Sequence, residues 1–141
     1  MDDGLSDRGD YFDKSSKAMI KEISRNDVIP FMRMASKDGV LFNSKEVIYY
    51  GYFIDGKLVG FVGVKYSPHK AILKNDYVLP EFRRRGIYRE LNEYRMNKIR
   101  EKNIKKAEGY FTPQSLPLHI KNGGKVGRQY AHSVKVVYES L

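Results

Sequence analysis

Apolar residues spaced for one face of a helix mark the first structured part of the chain. Val28, Phe31, Met32 and Ala35 fall at i, i+3, i+4 and i+7, which predicts a helix that begins near Asn26. The polar residues between them would face solvent. We therefore expect this helix to pack one face against a sheet.

Aromatic and β-branched runs predict the strands around this helix. One short strand is predicted before it, over residues 18–24, and two runs follow it, over residues 47–54 and 58–66. Asp55-Gly56 separates the last two runs, and Asp-Gly favours a tight hairpin turn, so these strands are predicted to be antiparallel. A further strand is predicted from about Lys70 to Leu79.

Helices and strands alternate in the second half. A helix is predicted from Ile87 to about Lys102, with Ile87, Leu91 and Tyr94 on its apolar stripe. The strand predicted over residues 105–111 follows a helical crossover and should run parallel to the strand before Pro80. The last predicted elements are a short helix within residues 113–122 and strands over residues 125–131 and 134–138. Pro117 requires that helix either to start late, with Ser115 as its cap, or to be kinked.

Length and composition limit the classes of protein to consider. The 141 residues fit one domain, predicted over residues 18–141, after a polar tail over residues 1–17. The chain has no cysteine, which excludes disulfides, thiolate metal sites and a cysteine nucleophile, and its three histidines are too scattered to suggest a metal site. Because no apolar run approaches the roughly 20 residues of a membrane span, we expect a cytoplasmic protein with no membrane partner.

Positive charge is concentrated in one segment. The net charge is +9, and residues 83–106 hold ten Lys or Arg against three Glu. This excess favours an anionic partner, either a phosphorylated cofactor or nucleic acid, although a merely solvated basic surface is the alternative.

Residues 78–88, Val-Leu-Pro-Glu-Phe-Arg-Arg-Arg-Gly-Ile-Tyr, place three arginines at the predicted start of a helix. Cations there oppose the helix dipole, at about 0.3–1 kcal/mol each when exposed. The arrangement is favourable if an anion binds the free backbone N–H groups, which Gly86 would let approach closely. A solvated basic turn is the competing interpretation.

The element order, together with Val-x-Pro-x-x-Arg-x-x-Gly-x at residues 78–87, resembles the GNAT family of acetyl-CoA-dependent N-acetyltransferases. The resemblance covers roughly residues 18–141. It implies an α/β fold with a mixed, mostly antiparallel sheet of about six or seven strands, flanked by helices and containing a splayed parallel pair. It also implies acetyl-CoA as co-substrate without a metal, an amine acceptor, and possible homodimerisation through the last strands.

The resemblance assigns cofactor contacts to two blocks of the sequence. The first holds the pyrophosphate and the pantetheine arm and comprises Arg83, Arg84, Arg85, Gly86, Ile87 and Tyr88, with the backbone of Tyr77, Val78 and Leu79. The family usually has Gly or Ala where this chain has Tyr88, so we expect the Tyr88 ring to turn into the fold. The second block, residues 112–124, keeps the family spacing and contributes Thr112 and Ser115, for which helix capping is the alternative role.

Acetyl transfer to an amine requires groups that move protons. Asp76, on the strand before the motif, is the candidate base, with a solvated Asn75-Asp76 turn as the alternative. His119 stands where many relatives carry the tyrosine that protonates coenzyme A, and a structural, half-buried histidine is the alternative. Tyr130 is the reserve acid.

The sequence therefore predicts an N-acetyltransferase that joins an amine and acetyl-CoA in a ternary complex. The second hypothesis is a catalytically degenerate GNAT-like basic module that binds nucleic acid, modifies a nucleic-acid-linked amine, or binds a protein partner. Four tyrosines of the predicted hairpin could serve either hypothesis: Tyr49, Tyr50, Tyr52 and Tyr66. They would line an acceptor pocket in the acetyltransferase or stack on bases in the nucleic-acid-binding module, and ordinary sheet packing is the alternative.

Overall fold

The computed structural model describes residues 17–141. The polar tail predicted over residues 1–17 lies outside the described residues except for Lys17, whose backbone N–H donates to Asp55 Oδ1 at 2.8 Å. None of the helices within residues 17–141 is long and apolar enough to cross a membrane.

Seven strands form one sheet in the described part of the chain, in the order β1-β2-β3-β4-β5-β7-β6. The strands are β1 (Ala18–Ile23), β2 (Ile48–Ile54), β3 (Lys57–Tyr66), β4 (Ala71–Val78), β5 (Ala107–Phe111), β6 (Lys125–Gln129) and β7 (Val134–Tyr138). Strands β4 and β5 are parallel, and all other neighbours are antiparallel. This architecture confirms the predicted fold class.

Three α-helices accompany the sheet within residues 17–141: α1 (Arg25–Lys37), α2 (Ile87–Glu101) and α3 (Leu116–Lys121). Helix α1 begins with a capping box between Ser24 and Asp27, which satisfies backbone donors of its first turn. Helix α3 begins only after Ser115 and holds Pro117 in its first turn, so the late-start alternative is correct.

The two large helices cover opposite faces of the sheet. Phe31 of α1 packs edge-on against Phe61 of β3, with ring centroids 6.0 Å apart. On the other face, Arg95 of α2 donates to the backbone carbonyl of Gly63 in β3 at 3.0 Å. Because side chains alternate along a strand, neighbouring residues of β4 face different helices.

The apolar stripe predicted for α2 is partly wrong. Leu91 and Ile99 are buried, whereas Tyr94 is half-buried at the margin of the contact and Arg95 is fully buried in its place. The helix is rotated this way because Gly63 and Asp76 provide acceptors for the Arg95 guanidinium on the sheet side.

Most of the hairpin tyrosines serve sheet packing, the alternative given for them. Tyr49, Tyr50 and Tyr52 are 1%, 3% and 1% exposed. Tyr66 is half-buried, and its hydroxyl lies 2.9 Å from that of Tyr50. These four rings therefore provide little open surface for a ligand.

Candidate active site

A gap opens in the sheet between β4 and β5. The two strands pair only from Ala71 and Ala107 to Leu73 and Gly109. Beyond that point β4 continues along β3 as far as Val78, and β5 continues along β7. The expected splayed pair is therefore present, and backbone groups of the two strands that face the gap do not pair with each other.

A bulge in β4 directs the side chains at the gap. The β3–β4 register shifts next to Asn75, which has a φ of 62°, and the Asn75 side chain donates to the Leu41 carbonyl at 2.9 Å. Asp76 then points to the α2 face and Tyr77 to the α1 face. The solvated-turn alternative for Asp76 is wrong, since the residue lies within β4 and its side chain is only 14% exposed.

The chain after β4 forms a loop that ends at the start of α2. A 3₁₀ turn over Pro80–Phe82 precedes Arg84 and Gly86, which have positive φ values of 64° and 81°. The first α-helical bond runs from the Glu90 N–H to the Gly86 carbonyl at 3.1 Å, so the preceding N–H groups have no intrahelical acceptor. Such a helix start suits an anion.

Glycine at position 86 keeps this helix start accessible. A Cβ there would lie 3.0 Å from Arg89 Nη2, and the positive φ would strain any L side chain. Beside it, the Arg85 guanidinium lies over the Phe82 ring at 5.0 Å and Arg84 is exposed. Arg84 and Arg85 therefore lie directly before the start of α2.

Arg83 is engaged away from the helix start. Its Nε donates to the Val78 carbonyl at 2.8 Å, and its Nη2 pairs with Asp38 Oδ2 at 3.0 Å. The guanidinium also lies 5.4 Å from the centre of the Tyr77 ring. One side chain thereby connects α1, the end of β4 and the arginine loop.

A buried ion pair lies on the α2 side of the gap. Arg95 is completely buried and donates to both oxygens of Asp76, at 2.5 and 2.9 Å. Its Nη2 also donates to Asn92 Oδ1 at 2.7 Å, while the Tyr88 hydroxyl donates to Asp76 Oδ2 at 2.5 Å. Each oxygen of Asp76 therefore already accepts at least one hydrogen bond.

His119 extends the same network. Its Nε2 lies 2.8 Å from the Tyr88 hydroxyl and its Nδ1 lies 2.6 Å from the Tyr138 hydroxyl. The ring is fully buried and stacks on Phe111 with centroids 3.7 Å apart. Burial lowers the pKa of His119 to about 4, which keeps the imidazole neutral.

The hydrogen bonds assign one tautomer to this imidazole. The carboxylate of Asp76 only accepts, so Tyr88 donates its proton there, and burial together with Asp76 raises the Tyr88 pKa well above its usual value. Nε2 of His119 must then carry the hydrogen given to Tyr88, and Nδ1 accepts from Tyr138. The donors thus point in one direction, from Tyr138 through His119 and Tyr88 to Asp76.

The inward turn expected for the Tyr88 ring is present in this arrangement. Tyr88 is half-buried, its hydroxyl reaches Asp76 and His119, and its ring packs edge-on against the imidazole. The tyrosine therefore occupies the sheet side of the helix start and leaves the Gly86 side to a ligand.

The remaining candidates lie around the mouth of the gap. Thr112 and Ser115 follow β5, and the Ser115 hydroxyl donates to the Thr112 carbonyl at 3.2 Å. Ser115 occupies the N-cap position of α3 without a side-chain capping bond. Tyr130 is 47% exposed at the end of β6 and packs edge-on against Tyr110, at a centroid distance of 5.6 Å, apart from the His119 network.

Sequence reasoning missed several residues of the site. Arg95, Asn92 and Tyr138 belong to the buried network, and Asp38 contacts Arg83 at the gap. The available signal for Arg95 was its position four residues after Leu91 and eight after Ile87, which places a charge on the buried stripe. Nothing in the local sequence marks Asp38 or Tyr138.

The buried imidazole predicts a pH dependence of stability. Between about pH 6.5 and pH 4 an unfolded histidine binds a proton that native His119 does not, so the free energy of unfolding should fall as the pH falls, by up to about 3 kcal/mol. Urea unfolding at several pH values measures this slope. In His119→Gln the free energy of unfolding should depend less on pH over this range. His69 is exposed, so His69→Gln should keep the wild-type dependence. Equal slopes in the two variants would contradict the assignment.

Comparison with known proteins places this geometry in a family. The sequence model of the acetyltransferase (GNAT) family matches residues 16–119. No curated protein matches the chain significantly.

Solved structures share the fold. The PaiA N-acetyltransferase from Thermoplasma acidophilum, in complex with coenzyme A, has a TM-score of 0.71 at 18% identity, over 87% of this chain and 99% of that one. The ribosomal-protein-S18-alanine N-acetyltransferase from Escherichia coli has a TM-score of 0.72 at 12% identity, with 86% and 91% covered. N-acetylglutamate synthase from Neisseria gonorrhoeae, complexed with coenzyme A and N-acetyl-glutamate, has a TM-score of 0.73 at 15% identity, over 91% of this chain and 36% of that one. Since the family match spans most of the chain, the protein belongs to the GNAT family of acetyltransferases and is an acyltransferase.

Proposed function

We propose that the protein transfers an acetyl group from acetyl-CoA to a primary amine by direct attack in a ternary complex. The observation that carries the proposal is the gap between β4 and β5, which leads to a helix start without a side-chain cap beside Arg84 and Arg85. This combination offers unpaired strand backbone to a pantetheine arm and N–H groups to a diphosphate. The family match favours this activity over the nucleic-acid-binding hypothesis.

The cofactor contacts are proposed to follow this geometry. The helix start at Gly86, Ile87 and Tyr88, with Arg84 and Arg85 nearby, would hold the pyrophosphate. The backbone of Tyr77, Val78 and Leu79 would contact the pantetheine arm. Thr112 and Ser115 lie after β5, on the opposite side of the gap, and would contact the same arm.

Acetyl-CoA, when bound, supplies the thioester. The neutral acceptor nitrogen forms a bond to the thioester carbon and releases one of its hydrogens as a proton, the carbon–sulfur bond breaks, and the sulfur takes up a proton, which gives an amide and coenzyme A. Because the chain contains no cysteine, it offers no thiol for an acyl-enzyme intermediate. The proposed proton donor is the Tyr88 hydroxyl, which would turn from Asp76 to the sulfur and regain its proton through His119 and Tyr138, with Tyr130 as the reserve.

The positive charge of the protein bears on the acceptor. A net charge of +9 repels polycations at long range, so polyamines are disfavoured relative to amines that carry an anionic group. The acceptor itself is best found by incubating the protein with acetyl-CoA and candidate amines and detecting acetylated products by mass spectrometry.

Substitution of Gly86 tests the cofactor site. Gly86→Trp should weaken acetyl-CoA binding by more than about tenfold, because the side chain would occupy the helix start. Isothermal titration calorimetry measures the dissociation constant directly. Gly56→Trp is the matched control, since Gly56 also has a positive φ, 83°, but lies in the β2–β3 turn.

The outcome separates the two functional hypotheses. Saturable binding of acetyl-CoA in the wild type and in Gly56→Trp, with loss in Gly86→Trp, supports the acetyltransferase. Stabilisation only by mixed DNA or RNA, lost at a few hundred millimolar salt, would reject it.

A further inference from the structure

Two carboxylates lie near the mouth of the gap, on opposite faces of the sheet. Asp76 points to the α2 face, where its oxygens accept from Arg95 and Tyr88. Asp38 is the first residue after α1, and its side chain is 48% exposed. Of these two carboxylates, Asp38 is the one that is open to solvent.

The α1 face is the open side of the gap. Tyr77 points to this face, where it packs against Phe61, and Tyr110 of β5 points the same way and is 53% exposed. On the opposite face, the network around His119 and the ring of Phe111 are buried. An acceptor that reaches the gap from solvent would therefore approach from the side of Asp38.

Asp38 is placed where it needs a cationic partner. It occupies the C-cap position of α1, and a carboxylate at the negative end of a helix dipole is unfavourable unless a cation is close. Arg83 is this cation, with its Nη2 3.0 Å from Asp38 Oδ2. The ammonium group of an amine acceptor has the same charge and can donate to the same oxygen.

Arg83 connects this carboxylate to the cofactor site. It lies in the arginine loop that is proposed to bind the pyrophosphate, and its Nε occupies the Val78 carbonyl that is proposed to face the pantetheine arm. Exposed ion pairs such as that of Arg83 with Asp38 are weak, so a diphosphate can compete for the guanidinium. Cofactor binding would then free Asp38 and Val78 together.

We propose that Asp38 binds the acceptor ammonium group and takes its proton, and that Arg83 covers Asp38 until the cofactor binds. The proton passes from the ammonium nitrogen to the Asp38 carboxylate, which becomes a carboxylic acid and leaves a neutral amine with a free electron pair. This inference rests on the proposed acetyltransferase function. It assigns the base role to Asp38 in place of Asp76 and predicts that the cofactor binds before the amine.

The order of binding can be tested without turnover. The probe is methylammonium chloride, and the readout is the side-chain carboxyl ¹³C resonance of Asp38, assigned with Asp38→Asn. Methylammonium should shift this resonance saturably when coenzyme A is bound and much less when it is absent. Potassium chloride at equal concentration is the control. An equal shift with and without coenzyme A, or none in either case, overturns the inference.

Two nucleophiles provide a kinetic test. Methylamine is almost entirely protonated near neutral pH, whereas hydroxylamine is mostly neutral and does not have to lose a proton before it attacks. The rate without enzyme is subtracted for both nucleophiles. Asp38→Asn should lower the acetylation rate about 100-fold with methylamine and less than about threefold with hydroxylamine. The ratio of the two rates is the decisive quantity, because general structural damage would lower both. Glu139→Gln, which removes an exposed carboxylate paired with Lys125, is the matched control.

Affinity for acetyl-CoA separates failure of this inference from failure of the function. Asp38→Asn should bind acetyl-CoA as tightly as the wild type or more tightly, because Arg83 is released from its partner. Normal binding with an unchanged methylamine to hydroxylamine ratio overturns the role of Asp38 alone. A wild-type protein that binds no acetyl-CoA overturns the proposed function and, with it, this inference.

Discussion

Arg95→Met is expected to lower the free energy of unfolding by about 3–5 kcal/mol, because it removes the counter-charge of a mostly buried carboxylate. The guanidinium is completely buried between Asp76, Asn92 and the Gly63 carbonyl, so all three lose the hydrogen bonds that Arg95 donates. Methionine restores much of the volume, which keeps the effect mainly electrostatic. Urea unfolding at neutral pH measures the loss.

A control on the same helix isolates the effect of burial. Arg89→Met removes an exposed pair with Glu93, at 3.9 Å, and should change stability by less than about 1 kcal/mol. Asp76→Asn combined with Arg95→Met should cost less than the sum of the single variants, since neither charge is then left alone. Additive losses would show that the two side chains do not form a coupled pair.

Local signals were sufficient for most of the fold. Asp55-Gly56 predicted the hairpin because the turn geometry depends on those two residues alone. The parallel pairing of β4 and β5 followed from the helix between them. Strand β6 ends at Gln129, earlier than the predicted limit of residue 131, because the Tyr130 N–H closes a turn onto the Ser133 carbonyl.

Within the candidate site, the arginine loop and His119 were predictable from the family pattern, and Asp76 from its place on the strand before the motif. The loop from Arg83 to Gly86 was recognisable because the family pattern for it is one contiguous stretch of sequence. The pair of Asp38 and Arg83 joins residues 45 positions apart, and the bond from His119 to Tyr138 joins residues from different elements. Such contacts depend on how the sheet is assembled, and no local pattern of residue types records them.

Gly124 shows how tertiary packing explains a departure from the family pattern. In the resemblance of residues 112–124 to the family's second block, Gly124 stands where family members often have phenylalanine, but a Cβ at Gly124 would lie 2.5 Å from Val136 Cγ1 and 2.8 Å from the His119 carbonyl oxygen. Val136 of β7 fills the space that a larger side chain would need, and the Gly124 N–H donates to the His119 carbonyl at 2.8 Å. Glycine at position 124 therefore lets α3 pack against β7 and holds the backbone of His119 in place.

The buried network makes its own prediction for catalysis. If the network of Tyr88, His119 and Tyr138 supplies the proton to the leaving sulfur, Tyr88→Phe and His119→Ala should each lower the maximal rate by about 100-fold. Each should change the acetyl-CoA dissociation constant by less than about threefold. Tyr138→Phe removes only the hydroxyl that donates to His119 Nδ1, and it should lower the maximal rate by about tenfold. Single-turnover kinetics and calorimetry measure the two quantities separately.

Hydroxylamine as acceptor separates the two proton roles. Because this nucleophile is already neutral before it attacks, the losses in Tyr88→Phe and His119→Ala should persist with hydroxylamine, whereas the loss in Asp38→Asn should largely disappear. Asp76→Asn tests whether Asp76 is the base, as the sequence predicts. If its acetylation rate falls with both methylamine and hydroxylamine, Asp76 positions Tyr88. If the rate falls with methylamine alone, Asp76 is the base. Unchanged rates in Tyr88→Phe and His119→Ala would contradict the network and leave Tyr130 or an ordered water as the proton donor, and Tyr130→Phe would then decide between these two.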